Sequence, residues 1–302
     1  MTQKRIKIRI PIGITNIGPG IGVLGLALSI YNIVEFIETN SGTIEFEIKS
    51  LSKDIPTDVS NLLYRSANEI FKRSNYFSSG LKIICDQGIP VNKGLGSSGA
   101  AIIAGLQCAK ILTDSDIDEN YILENAYELD QEKFNCIPSY FGGLTISSLL
   151  DFTHVPIPVN NIDLKTVLII PEFEYSKEYF HNLLPKEFSY NSIQNNIAKT
   201  AQFVTAICYN EPNLLTTSLK NEMLLSNSFK YFIPGLDDIN LTCSINGGYG
   251  VSVCGQGPCL LVFSPKKNAE IIGKRIIKIF ENFKISANYY LCDIDNNGTT
   301  VI

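Results

Sequence analysis

A chain of 302 residues that is 45% hydrophobic and 18% charged can bury a sizeable core, as one large or two medium domains. Its net charge of −5 comes with scattered Lys and Arg rather than a basic stripe, which excludes a nucleic-acid footprint. No apolar run reaches the about 18 residues that a membrane span needs, and the charged opening MTQKRIKIRIPIG reads as a strand rather than a secretory leader, so a cytoplasmic chain is expected.

The pattern opens on sheet. Alternation from Ile6 to Ile10, then LALSIYNIVEFIET and GTIEFEIKS, rich in β-branched and aromatic residues, predict three strands. Residues 59–75 place Leu62, Leu63, Ala67, Ile70 and Phe71 at helical spacing. A strand LKIICD leads to a glycine loop, IPVNKGLGSSGAA, and a helix to about Leu112; DENYILENAYELDQEKF predicts a second helix with an acidic face, and GGLTISSLL returns to strand. Pro156, Pro158 and two asparagines interrupt the pattern, which places a domain boundary near residue 163. Beyond it come the strand of LKTVLIIPEF, a long helix in SIQNNIAKTAQFVTAICYN, two strands around a glycine turn in GYGVSVCGQGPCLLVFSP, and an amphipathic helix in KNAEIIGKRIIKIFENF. The eight cysteines sit mostly in apolar runs, without a C-x-x-C pair and with only His154 and His181 for company. They read as buried small hydrophobes of a reducing compartment, not as disulfide or zinc ligands, and Cys254 and Cys259 make a poor metal pair.

The loop carries the chemistry. Gly94, Gly96 and Gly99 can take positive φ or let a ligand press on bare backbone, and the run after Ser98 has the composition of a helix start. A helix N-terminus leaves amide N–H groups without partners and a partial positive charge, which suits a phosphate. Lys93 beside the loop adds charge. The plainer alternative is a serine N-cap, which requires one serine and no glycines. The loop lacks the Lys-Ser/Thr ending of a Walker loop. It matches G-x-G-x-x-G, but DQGIPVNK separates it from the preceding strand, which weakens a dinucleotide reading.

PVNKGLGSSGAA resembles the phosphate loop of the GHMP kinases, the superfamily of galactokinase, homoserine kinase, mevalonate kinase and phosphomevalonate kinase. PIGITNIGPGIGVLGLAL is similar to the opening motif of homoserine kinases, NCIPSYFGGL to their substrate-contacting segment, and GVSVCGQGPCLLVF to their third glycine motif. The resemblance implies an α/β (α+β) fold of two domains: an ATP-binding N-terminal domain, 1–163, arranged like ribosomal protein S5, and an α/β C-terminal domain, 164–302. It implies ATP and Mg²⁺, with Lys93, Gly94, Leu95, Gly96, Ser97, Ser98 and Gly99 around the phosphates and Ser98, or its neighbour Ser97, near the metal. Counting back from Asn135 without a gap, it puts the magnesium-binding carboxylate at Glu124. Asn61 matches a position that reaches the adenine, and Asn135 the residue that orients the acceptor hydroxyl. Without the resemblance, Glu124 is one more acid on a solvated face and Asn61 a helix cap.

The resemblance places Asn16, Gly22, Phe134, Asn135, His181, Phe229 and Gly255 around the acceptor. Homoserine kinases usually have an aspartate where this chain has Gly22 and another at Phe134, which help hold an ammonium group. They also grip the carboxylate with two arginines, where this chain has His181, or Phe180 if the register slips, and Phe229. An acceptor less charged than a zwitterionic amino acid is therefore expected. The reaction implied is transfer of the ATP γ-phosphoryl group to a small alcohol, mainly by positioning and charge neutralisation. Homoserine itself stays open if Lys177, His181 or Lys230 replaces the arginines; so do a non-catalytic nucleotide-binding protein and, less favoured, an ATP-dependent decarboxylase of the superfamily. A homodimer also stays open.

Overall fold

Isoleucines on alternate positions, with Ile8, Ile10, Ile12 and Ile14 all fully buried, build the first strand, β1 (Arg5–Thr15). The computed structural model describes residues 4–50, 55–91, 93–130, 134–148, 150–160, 162–173, 187–220 and 232–302. The fold is mixed α/β in two compact units. The first comprises Met1–Ile14, Gly25–Pro156 and Asp295–Ile302, the second Thr15–Leu24 and Ile157–Ile294. The chain thus passes between units at Ile14–Thr15, Leu24–Gly25, Pro156–Ile157 and Ile294–Asp295, where the sequence suggested a single boundary near residue 163.

In the first unit, β2 (Leu24–Glu38) pairs antiparallel with β4 (Leu81–Gln87), setting Asn32 opposite Gln87, and β3 (Ile44–Lys49) pairs parallel with β4. The sheet runs β11-β1-β2-β4-β3, with β5 (Leu144–Ser147) on β2 and β6 (His154–Ile157) on β5. Its last strand, β11 (Thr300–Val301), returns to β1 in the register Ile8↔Val301. The helices are α1 (Leu62–Arg73), α2 (Ser97–Thr113), α3 (Glu119–Leu129) and α4 (Cys136–Phe141). α2 is apolar on nearly every side, and Ile102, Ile103, Leu106, Cys108, Ala109 and Leu112 are buried, as an all-round hydrophobic helix must be.

The second unit is built on an antiparallel sheet, β10-β7-β9-β8, of β7 (Lys165–Pro171), β8 (Gly250–Val253), β9 (Leu260–Ser264) and β10 (Ala287–Cys292). Among its described residues the helices are α5 (Tyr190–Tyr209), α6 (Pro212–Leu219), α7 (Leu236–Ile245) and α8 (Ala269–Asn282). Val167 and Ile169 of β7, Leu260 and Val262 of β9, and Ile272, Ile276 and Phe280 of α8 form one core with Ile239 and Cys243 of α7. All eight cysteines are thiols, and seven are buried as expected; Cys208 is exposed on α5, a correction to the sequence reading. The apolar run around Cys208 buries Phe203, Ala206 and Ile207, and its helical turn carries position 208 to the other side.

Candidate active site

The glycine loop ends on Gly96, which is left-handed (φ 69°, ψ 20°) and caps α2 without any side-chain cap bond. Neither serine is therefore a cap. Gly94 is left-handed as well (φ 67°), and Leu95 between them is buried. The first helical bond runs from Ala100 N to Gly96 O, so the amides of Ser97, Ser98 and Gly99 precede the helix's own bonding. A β-carbon on Gly96 would stand well inside 3.0 Å of Gly13 O, and one on Gly99 would stand 2.7 Å from Cys136 N and 2.8 Å from Asn135 C. Bare backbone thus lets the end of β1, the start of α2 and the start of α4 meet directly. Asn135, buried at the N-cap of α4, stands at this junction, with the half-buried Phe134 just before it.

The paired serines are held differently. Ser97 Oγ accepts from Gln87 Nε2 at 2.9 Å, and the same nitrogen donates to Ile89 O at 3.0 Å. Ser98 Oγ donates to Asp130 Oδ1 at 3.3 Å. Asp130 is buried at the C-cap of α3, whereas Glu124 lies exposed on the same helix. Among the described residues, the carboxylate bonded to the loop is thus Asp130. Burial, reinforced by the Asp130 charge, pushes the Cys136 thiol up, so this cysteine is no nucleophile. Lys93 is half-buried on the loop. Asn61 is the N-cap of α1: its Oδ1 accepts from Leu63 N at 2.9 Å and its Nδ2 donates to Pro56 O at 2.5 Å.

Asp130 and Gln87 are the residues that sequence reasoning missed. Asp130 was visible only as one of several acids, and Gln87 as the last residue of a strand. Mg²⁺ takes hard oxygen ligands and keeps several waters, so a hydroxyl and a carboxylate in contact, Ser98 and Asp130, fit it. Among the described residues no group of three or more His, Cys, Asp or Glu could hold a metal by itself.

Of the acceptor residues that the structure describes, three lie in the second unit. Asn16 is held left-handed (φ 57°), with Oδ1 accepting from Gly22 N at 2.8 Å and Nδ2 donating to Gly255 O at 3.1 Å. Gly255 N in turn donates to Thr15 O at 2.8 Å. Gly22 is left-handed (φ +66°), and a β-carbon there would meet none of the described residues within 4 Å. His181 and Phe229, like Lys177, Phe180 and Lys230, lie outside the described residues.

The family model of the GHMP kinases N terminal domain matches residues 61–143. A homoserine kinase of Halothermothrix orenii is 30% identical over 297 residues, covering 96% of this chain and 94% of its own. The chain belongs to the GHMP kinase family. Within that family it is homoserine-kinase-like, and it is a small-molecule kinase, a phosphotransferase with an alcohol group as acceptor. A homoserine kinase of Petrotoga mobilis is also 30% identical, over 306 residues, with 98% of this chain and 96% of that one covered. The crystal structure of homoserine kinase from Cytophaga hutchinsonii matches with a TM-score of 0.88 at 23% identity, over 100% of this chain and 98% of that one. That of Lactococcus lactis galactokinase complexed with galactose matches at 0.71 and 13%, over 98% and 95%, a likeness of fold. Among the described residues no helix is long and apolar enough to cross a membrane.

Proposed function

We propose that this kinase transfers the γ-phosphoryl group of ATP to the hydroxyl of a small metabolite, and that its acceptor pocket has departed from the one that serves homoserine. The first unit is the ATP-binding domain. Support for the nucleotide site comes from the uncapped N-terminus of α2 behind the left-handed Gly94 and Gly96, a ready anion site. Ser98 and Asp130 would hold Mg²⁺, and the ion, when bound, supplies neutralisation of the charge on the phosphates. Lys93 adds positive charge, and Asn135, buried at the N-cap of α4, orients the acceptor hydroxyl. Catalysis is then positioning and charge stabilisation, without a dedicated base.

The observation that carries the acceptor reading is Gly22. The β-carbon of an aspartate there would meet none of the described residues within 4 Å, yet the position holds a bare glycine, and Phe134 supplies no charge either. An ammonium group loses both carboxylates, and an unpaired buried charge costs roughly several kcal/mol, about a thousandfold in affinity or more. Full-length similarity to homoserine kinases favours homoserine as a second reading. The test is ADP release with a panel of amino acids and small neutral alcohols. A neutral alcohol should turn over with the highest kcat/KM and homoserine poorly. Turnover of homoserine at a millimolar or lower KM with a kcat of at least about 1 s⁻¹ would establish the second reading instead.

A further inference from the structure

We propose that Gln87 is a positioning residue for the nucleotide: its carboxamide fixes the direction of the Ser97 hydroxyl so that the Ser97 proton is aimed at a phosphate oxygen. This rests on the reading of Gly94–Gly99 as the ATP loop. Gln87 ends β4 and belongs to no motif of the family resemblance, but its nitrogen spans the loop from one end to the other. It donates to Ile89 O at 3.0 Å, where the loop leaves the strand, and to Ser97 Oγ at 2.9 Å, where the loop enters α2. The orientation of the amide is settled by its partner, because a carbonyl oxygen only accepts and so the nitrogen must face Ile89. Opposite Gln87 in the β2–β4 register, the buried Asn32 takes up the other polar group of Ile89, its Oδ1 accepting from Ile89 N at 3.0 Å. Two amides therefore clasp the root of the loop.

A hydroxyl has one proton to give and lone pairs to accept with. Ser97, having accepted from Gln87, has its proton directed away from it. Ser98 does the reverse: it gives its proton to Asp130 and turns lone pairs outward. Adjacent residues of one type are thereby sorted into a donor and an acceptor. A phosphate oxygen can use only the donor and a cation only the lone pairs, so the sorting matches an anion beside a metal.

The test is a double-substitution cycle on the full chain, read by calorimetric binding of MgATP, with the melting temperature without nucleotide as a separate measure of folding. Gln87→Met removes both donors while keeping bulk, and should weaken MgATP about tenfold. Gln87→Glu is isosteric but accepts the Ser97 proton and adds negative charge, and should weaken it about a hundredfold. In a Ser97→Ala background, Gln87→Met should weaken binding by no more than about a further twofold. An effect of the same size with and without the serine makes Gln87 a purely structural residue and overturns the proposal, as does unchanged affinity in Gln87→Met. If Gln87→Met does not fold, Gln87→Glu alone and in the Ser97→Ala background carries the same comparison. If Ser97→Ala and Ser98→Ala both bind MgATP as the unsubstituted chain does, the loop reading fails and takes the proposal with it. If the serine changes weaken binding and the Gln87 changes do not, only the proposal fails.

Discussion

Replacing Gly96 by alanine adds one methyl group where the backbone is least able to receive it. Two costs combine. An L-residue held at φ 69° pays the left-handed penalty, about 1–2 kcal/mol. The new β-carbon would also lie well inside 3.0 Å of Gly13 O, so the end of β1 must retreat by about 1 Å to reach an ordinary carbon–oxygen separation. Overpacking of this kind costs about 1–3 kcal/mol, which brings Gly96→Ala to about 2–5 kcal/mol. Gly22→Ala is the control, because Gly22 has nearly the same φ, +66°, with none of the described residues within 4 Å of its would-be β-carbon. It should show the left-handed penalty alone, about 1–2 kcal/mol. With each kcal/mol worth about 2–4 °C in a domain of this size, the melting temperature should fall by about 4–20 °C for Gly96→Ala and by about 2–8 °C for Gly22→Ala. Differential scanning fluorimetry with and without MgATP measures both. Nucleotide should still raise the melting temperature of Gly22→Ala but stabilise Gly96→Ala far less. Equal destabilisation of the two variants, with equal stabilisation by MgATP, would refute the account of the loop as a cradle pressed against β1.

Asp130→Asn should cut turnover at saturating ATP by about 100-fold or more while Glu124→Gln stays within about twofold, and the reverse order in steady-state assays would return the metal role to Glu124. Asn61→Ala removes a cap bonded through both side-chain groups and should cost about 1–2 kcal/mol in denaturant unfolding; unchanged stability with weakened ATP binding would make Asn61 an adenine contact instead. Burial holds the His154 pKa below the usual imidazole value, a shift that the charges of Asp151 and Glu119 only partly oppose. The unfolded chain therefore binds the proton more readily, so this contribution is complete above about pH 6.5 and is lost as the pH falls towards the folded value. His154→Gln should flatten that acid limb of the stability profile, and an unchanged limb would assign it to other groups.

What the sequence made legible was local. Positive-φ glycines followed by an apolar run announce the loop and α2 because both signals act within a few residues. The alternation of β1, the apolar run that follows Lys165 in β7 and the helical spacing of α1 and α8 are equally self-contained. The carboxylate beside Ser98 was not legible, because a gapless count from Asn135 assumes how the chain between them is laid out. The end of α3 at Leu129 sets Asp130 at the helix's C-cap, where it accepts from Ser98. Asn61 shows the opposite case, since the cap predicted from residue type alone is what the structure contains. Strand β11 offers two residues and no periodicity, and its pairing with β1 joins opposite ends of the sequence. Gln87 escaped notice because a polar residue closing a strand is ordinary until its partners are known.

The assignment of Asp295–Ile302 to the first unit bears on how the chain is made. Asp295 receives Tyr31 OH at 2.8 Å together with Asn297 N and Gly298 N, and Val301 then pairs with Ile8. A ribosome makes β1 long before β11, with the whole of the stretch between them still to come. At about 5–20 residues per second, synthesis of the stretch from Ile157 to Ile294 takes on the order of ten seconds. During that interval the flank of β1 that β11 later covers is an unpaired strand edge beside a row of isoleucines. The vulnerable species is therefore the nascent polypeptide, and holding that edge apart from its neighbours on a polysome is a task for chaperones rather than for anything in the finished fold.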